Sequence, residues 1–454
     1  MLRSTRLVRV LIAALLLLAA GLAFTACGEN KTPRLNSSTG DLTMLDDDDD
    51  TSADDDDNDN DDNDNDDNDA ADDDNDTADD DDDNDDDDND DDDNDDNDDD
   101  DNDDDNDDND DNDNDDNDDD DNDNDTVDDD NDTAPPAITL NAVWGSSATD
   151  VFTVGQNTNS GVAVILHYDG SSWSPAPILT TDDLGLGGVW GSSATDVFAE
   201  GFDNNDRSPV IWHYDGSSWS AMSSGTTDTV YTGHMWGASA TDVLIGGWDE
   251  NTYGPSIFQY DGASWSLTTP AEGSDIGFNA IWGSSPTSVF VVGYSDTIGS
   301  AIYQYDGSSW SSMTIPTTEV ALVGVWGSSS SDVFAVGNDL SSSLPAIWRY
   351  DGSSWSAMTN ATADAGTLNA VWGSAATNVF AVGKDSTSPA AAIWQYNGSS
   401  WSVMAIPTND DVTLNGVWGT SATDVFAVGK DNTSNLPVIW QYDGATWSAM
   451  TTPG

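Results

Sequence analysis

Three features of the 454-residue chain predict an all-β fold built by repetition. A tryptophan recurs at Trp144, Trp190, Trp236, Trp282, Trp326, Trp372 and Trp418, at intervals of 46, 46, 46, 44, 46 and 46 residues. A second series, Trp173, Trp219, Trp265, Trp310, Trp355, Trp401 and Trp447, keeps step with the first. Each copy also divides into four short runs rich in β-branched and aromatic residues, which in the last copy are 414–418, 424–429, 437–442 and 446–450. The breaks carry Gly, Ser, Asp or Asn, and Asp443-Gly444 between the last two runs is a hairpin signal because glycine takes the positive φ of a tight turn. A helical solenoid is excluded: no copy has a 3.6-residue apolar period, and Gly, Thr and Ser are too frequent for stable helices. Four antiparallel strands in about 46 residues make one blade of a β-propeller, and seven blades close a ring without a long free sheet edge. The predicted fold is therefore a seven-bladed β-propeller of four-stranded antiparallel blades over residues 134–454.

The elements before the propeller follow from charge and hydropathy. Arg3, Arg6 and Arg9 precede an apolar run, 10–24, and then Thr25-Ala26-Cys27-Gly28, the layout of a secretory signal peptide over 1–26. The run is at the lower edge of the length needed to cross about 30 Å of hydrocarbon, so a short membrane anchor is the alternative. Residues 27–45 form a short polar linker. From 46 to 133 the chain is nearly all Asp and Asn, and 59 of its 90 acidic residues lie in 46–132, against 9 basic residues in all. That tract has no aromatic residue and no apolar period, so it buries too little surface to offset the entropy of ordering, and a disordered tether is expected. Fully stretched, it would reach roughly 290 Å at most. Dedicated Ca²⁺ loops need a turn glycine and a terminal bidentate Glu, which the tract lacks; weak, non-specific condensation of divalent cations is the expectation, and no cofactor. With a formal charge of -81 nucleic acid is a poor partner, and a single cysteine excludes an internal disulfide.

The quoted residues also carry resemblances. Ala26-Cys27-Gly28 after the apolar run resembles a bacterial lipoprotein lipobox, which implies cleavage before Cys27, diacylglycerol on its sulfur and a membrane anchor; Gly28, rather than Asp, implies the outer membrane. An ordinary cleaved signal with an incidental thiol stays open. Asp424-Val-Phe-Ala-Val-Gly429, then Ile439-Trp-Gln-Tyr-Asp-Gly444, then Trp447-Ser-Ala-Met450 follows the order of a kelch repeat, and Asp443-Gly-Ala-Thr-Trp447 resembles the Asp-box turn of sialidase-like propellers. Tandem Val-Trp-Gly-Ser-Ser-Ala-Thr-Asp-Val-Phe-Ala-Val-Gly repeats resemble those of secreted myxobacterial lipoproteins, a likeness that implies surface display but no defined activity.

With the first strand innermost, the strand 1–2 and 3–4 turns share one face of the ring, and the strand 2–3 loops and blade-to-blade links share the other. The turns hardly change between copies, whereas the strand 2–3 loops differ in each, so recognition is expected on the loop face. Both tryptophan columns are expected to be inter-blade packing, because every blade offers its neighbour the same surface. The Asp column of the first turn is expected to accept turn hydrogen bonds, and the third-strand column His167, His213, Gln259, Gln304, Arg349, Gln395, Gln441 reads as a solvated rim.

Residues that break the repeat are the candidate site. His234 interrupts a column of Ala and Gly, and Glu200 interrupts a column that is otherwise Val or Gly. Trp248, Glu250 and Tyr253 enlarge the next loop, and Arg207 is one of 4 basic residues after Pro135. Glu200, Arg207, His234, Trp248, Glu250 and Tyr253 are thus the expected centre of ligand binding, with drift between copies as the competing reading. A sialidase-like enzyme needs an arginine cluster that those 4 bases, scattered over four blades, do not supply, so catalysis is not expected. The expected function is non-catalytic: a lipid-anchored, monomeric propeller that binds a glycan or a protein. A structural envelope component with a cation-condensing stalk is the alternative, and a glycan-cleaving propeller hydrolase a more distant one. The region after Thr133 still carries 29 acidic against 4 basic residues, which disfavours polyanionic ligands.

Overall fold

The computed structural model describes residues 137–453 apart from 181, 271–274, 363, 365, 389 and 409. The signal peptide, Cys27, the polar linker and the acidic tract fall outside the described residues.

Every described strand belongs to one of seven four-stranded sheets, and each sheet takes four consecutive strands in the order 1-2-3-4 with antiparallel pairing. In blade 1 they are Ile138–Ser147, Asp150–Asn157, Ala163–Tyr168 and Trp173–Pro175. Blades 1 to 7 span residues 138–175, 184–222, 230–268, 276–312, 320–357, 366–403 and 412–449. The protein is a seven-bladed β-propeller. First strands adjoin first strands around the ring, including that of blade 7 against that of blade 1, so they line its centre.

The first strands are longer than the sequence pattern suggests. The last runs Val412–Ser421, ten residues, because the Gly-Thr-Ser segment stays in the ladder: Gly419 pairs with Val425 and Ser421 with Asp424 across a bulge. Glycine is required there by a close approach. A Cβ on Gly191 would stand 2.6 Å from the ring of Trp144, and one on Gly145 2.7 Å from the ring of Trp418. Each first-series tryptophan therefore seats on the Trp-Gly glycine of the next blade, and blade 7 closes on blade 1 in the same way. Closure needs no strand exchange. It is reinforced by the Asn415 amide donating to Leu140 O (2.9 Å), Ile138 N to Asn435 O (3.0 Å) and Trp173 Nε1 to Met450 Sδ (3.4 Å).

The core lies between blades. A fully buried second-strand phenylalanine meets the second-series tryptophan of the following blade edge-on, as in Phe380–Trp447 (6.2 Å, 86°) and, across the closure, Phe426–Trp173 (6.3 Å, 82°). Burial of one such ring contributes roughly 2–3 kcal/mol. Blade 3 has Leu244 at that place, and Trp310 of blade 4, which lacks the phenylalanine and keeps Tyr305 of its own blade (5.2 Å), is only half-buried.

At the turn end the two tight turns interlock. Asp169 Oδ1 accepts from Ser171 Oγ (2.7 Å), Ser171 N (2.9 Å) and Ser172 N (2.9 Å). The serine hydroxyl first, then these backbone donors, hold the carboxyls of Asp169, Asp215 and Asp351 down to about 2. Gly170 follows at φ 91°, and a Cβ there would meet Thr149 of the first turn at 2.7 Å. The third-strand column is partly solvated, with Gln259 exposed, but its side chains also bond to the second strand. His167 and His213 sit 2.7 Å from Asp150 and Asp196, Arg349 Nε donates to Asp332 at 2.6 Å, and Gln441 Nε2 donates to Asp424 at 2.9 Å. In blades 1, 2, 5 and 7 His, Arg and Gln interchange because each presents an N–H to the aspartate of the first turn. These groups are cross-strand clamps, three-quarters buried in the case of His167, whose ring stacks on Phe152 at 4.2 Å.

Candidate ligand-binding site on the loop face

The strand 2–3 loops grip the incoming links, which fixes both on one face. Asn204 N donates to Asp183 O (2.8 Å), Glu250 N to Thr229 O (2.9 Å) and Leu340 N to Glu319 O (2.9 Å). The loops share a design despite their different sequences. The last second-strand residue, usually Asp, accepts backbone N–H groups from the next residues, as Asp249 Oδ1 does from Asn251 (2.8 Å) and Asp203 Oδ1 from Asn205 (2.7 Å). Four residues on, the chain turns left-handed; Arg207 N donates to Asp203 O at 2.7 Å. That position is Gly161 (φ 71°) in blade 1 and Gly299 (φ 77°) in blade 4. In blades 2 and 3 it is Arg207 (φ 62°) and Tyr253 (φ 53°), two bulky side chains held where glycine fits without strain.

The two strained residues flank one cluster. Phe202 and Tyr231 meet edge to face (6.1 Å), Tyr231 stacks on Trp248 (5.9 Å, 30°), and Trp248 meets Tyr253 in a T (6.0 Å). Arg207 lies 6.0 Å over the Tyr231 ring, and its Nη1 is 3.7 Å from Glu250 Oε2. Phe202 is buried, Tyr231 and Trp248 are half-buried, and Tyr253 is 53% exposed at the tip. Burial raises the Tyr231 hydroxyl pKa, with Arg207 opposing and Glu250 adding, so the hydroxyl stays neutral.

Four of the six residues singled out from sequence, Arg207, Trp248, Glu250 and Tyr253, are thus brought together. The other two are not on this surface. Glu200 is fully buried between blades 2 and 3, paired with Gly188 and Ile211, with neither carboxyl oxygen hydrogen-bonded. Desolvation pushes it up to about 8, against a smaller contribution from the Thr232 hydroxyl, which donates to Gly201 O at 3.2 Å. His234 is half-buried on the inner strand, where its Nδ1–H donates to Asn279 O of blade 4 at 3.0 Å; burial lowers its pKa, partly offset by that bond. Gly188 leaves room for the Glu200 carboxyl, and Gly246, where most other blades have Val, leaves room for Phe278 of blade 4.

Tyr231 was missed, although it interrupts a column that is otherwise small: Thr139, Gly185, Gly277, Ala321, Thr367 and Thr413. An asparagine column three residues before the first tryptophan was missed too. Asn141, Asn279, Asn369 and Asn415 each donate to the next blade's first strand at 2.8–2.9 Å, a structural role. Among the described residues no group of three or more His, Cys, Asp or Glu side chains could hold a metal ion.

No protein family and no curated protein matches this chain. Solved structures do. The propeller is similar to YCF48 bound to a D1 peptide (15% identity, TM-score 0.51, covering 68% of this chain and 94% of that one). It is also similar to YCF48 from Cyanidioschyzon merolae (10%, 0.50, 68% and 96%) and to the GH74 xyloglucanase from Xanthomonas campestris (10%, 0.50, 68% and 54%). Identities this low establish a common fold.

Proposed function

We propose that the protein is a non-catalytic recognition propeller that binds a protein or glycan ligand on its loop face, at the cluster of Arg207, Tyr231, Trp248, Glu250 and Tyr253. The observation that carries this reading is the left-handed backbone at Arg207 and Tyr253. The same loop position is left-handed at Ser343 and Asn435 in blades 5 and 7, but only in the adjacent blades 2 and 3 does it hold bulky side chains, at the two edges of one aromatic row, where strain of about 1–3 kcal/mol per residue is kept. The fold is compatible with either ligand class, since similar propellers include one solved with a peptide and one described as a xyloglucanase. Away from this surface the carboxyls are spoken for, which supports a binder over a hydrolase: the turn-face aspartates are committed to turns and clamps, and Glu200 is sealed from solvent.

In this reading Cys27 carries a lipid, the acidic tract holds the propeller away from an outer membrane, and the ring faces the cell exterior as a monomer. Loss of palmitate labelling in Cys27→Ser tests the anchor, and label that persists overturns it. For the site, the full chain and the double variant Trp248→Ala/Tyr253→Ala are compared on glycan and peptide arrays. Saturable binding by the parent and loss of at least about tenfold in the variant is expected, since aromatic anchors dominate such interfaces. Equal binding by both proteins, or none by either, removes the proposal.

A further inference from the structure

The site on the loop face already holds a cation of its own. Arg207 lies over Tyr231 and beside Glu250, with both partners of the ion pair more than one-third exposed (44% and 40%), so the pairing is weak and readily exchanged. Tyr231, Trp248 and Tyr253 supply ring quadrupoles and Glu250 supplies a negative charge, the combination that accepts a guanidinium or ammonium group. Displacement of Arg207 uncovers the Tyr231 ring beside the Glu250 carboxylate, a setting that favours a cation over a neutral sugar.

The surroundings carry the same sign of charge. Arg207 is the sole Lys or Arg between 184 and 268, and the adjoining loops and link present Asp203, Asp206 and Asp228, with Asp249 buried beneath and bonded to its own turn. The backbone of Arg207 is fixed by its bond to Asp203 O and by the Asp206 turn that follows it (Ser208 N to Asp206 Oδ1, 2.9 Å). Only the side chain needs to move for the site to open.

We infer that this site binds an arginine or lysine side chain from a basic segment of a partner protein, and that Arg207 is an internal placeholder that this side chain displaces. The inference rests on the proposed function above and narrows it to one ligand class. It also assigns opposite roles to two members of one ion pair: Glu250 contributes to affinity, whereas Arg207 competes with the ligand.

The test measures binding of three probes to the full chain at about 0.15 M salt, where a single charge is well screened from the acidic tract. They are a Gly/Ser peptide with one central arginine, its citrulline counterpart and a neutral oligosaccharide. The arginine peptide should bind at least about tenfold more tightly than the citrulline peptide. Arg207→Gln should tighten the arginine peptide about three- to tenfold, and Glu250→Gln should weaken it by a similar factor. An Arg207→Gln variant with unchanged or weaker affinity overturns the inference, as does equal binding of the citrulline peptide. Oligosaccharide binding that needs Trp248 and Tyr253 but is indifferent to Arg207→Gln also overturns it, while leaving the proposed function in place. Failure of all three probes counts against both.

Discussion

Between blades 5 and 6, Phe334, Val336 and Ile347 pack against Leu368, Val371, Val379, Ala381, Trp394 and Trp401 of the next blade. Between blades 2 and 3 the same places hold Phe198, Glu200 and Ile211 against Thr232, Met235, Val243, Ile245, Phe258 and Trp265. The backbone pairing is the same in both, Gly324 opposite Val336 and Gly188 opposite Glu200. What differs is the filling. In blades 2 and 3 a leucine has become threonine, an alanine isoleucine, a tryptophan phenylalanine and a valine glutamate, so volume is redistributed while one carboxyl is left buried without a hydrogen bond. A repeat ring tolerates this because each interface is assembled from two blades only, and a change in one is absorbed by its neighbour. Departures from the repeat therefore mark two different things: local repacking inside the wall and a built surface on the loop face.

The largest effect is expected at the wall. In blades 5 and 7 valine already stands opposite glycine (Gly324–Val336, Gly416–Val428), so Glu200→Val should fit opposite Gly188. The sign of the pH dependence follows from the raised pKa. Folded Glu200 keeps its proton until about pH 8, while an ordinary glutamate releases it near 4.5, so the parent loses stability as pH rises through that window. Removing the carboxyl should raise the unfolding free energy by about 5 kcal/mol at pH 8, and the gain should shrink to about 1 kcal/mol near pH 4. Denaturant titrations of parent and variant at both pH values measure it. A gain independent of pH, or a loss, would mean that Glu200 is held by interactions that the blade 5–6 interface does not predict.

The ring, the blade count and the division into a turn face and a loop face are legible in the sequence because each repeats seven times. Trp144 and Gly145, or Asp169 and Gly170, announce their roles by recurring. Single departures are harder. Glu200 and Trp248 look alike as exceptions, and residues two apart share a face of the second strand, so only their distance from its loop end separates them: Glu200 lies mid-strand, sealed between blades, whereas two places further on Trp248 reaches the loop end beside Tyr231. The left-handed positions were illegible for a related reason. Gly161, Arg207, Tyr253, Gly299, Ser343 and Asn435 share no side-chain chemistry, only a backbone angle and a place four residues beyond the end of the second strand.

That shared angle supplies the smaller and more discriminating prediction. Arg207→Gly and Tyr253→Gly each place glycine where blades 1 and 4 already have it. Relief of a left-handed residue is worth about 1–2 kcal/mol, and the greater freedom of glycine in the unfolded chain takes back about 0.5–1 kcal/mol. Each variant should therefore be more stable than the parent by roughly 0.5–1 kcal/mol in thermal unfolding. Asn435→Gly in blade 7 should gain less, because asparagine tolerates the left-handed region. If Tyr253 serves the ligand, its glycine variant gains stability while losing capture, the trade expected where a strained surface is kept for binding. If instead Tyr253→Gly destabilises the ring, the Trp248–Tyr253 contact is packing of the kind found between blades 5 and 6, and the loop face of blades 2 and 3 differs from the wall in composition alone.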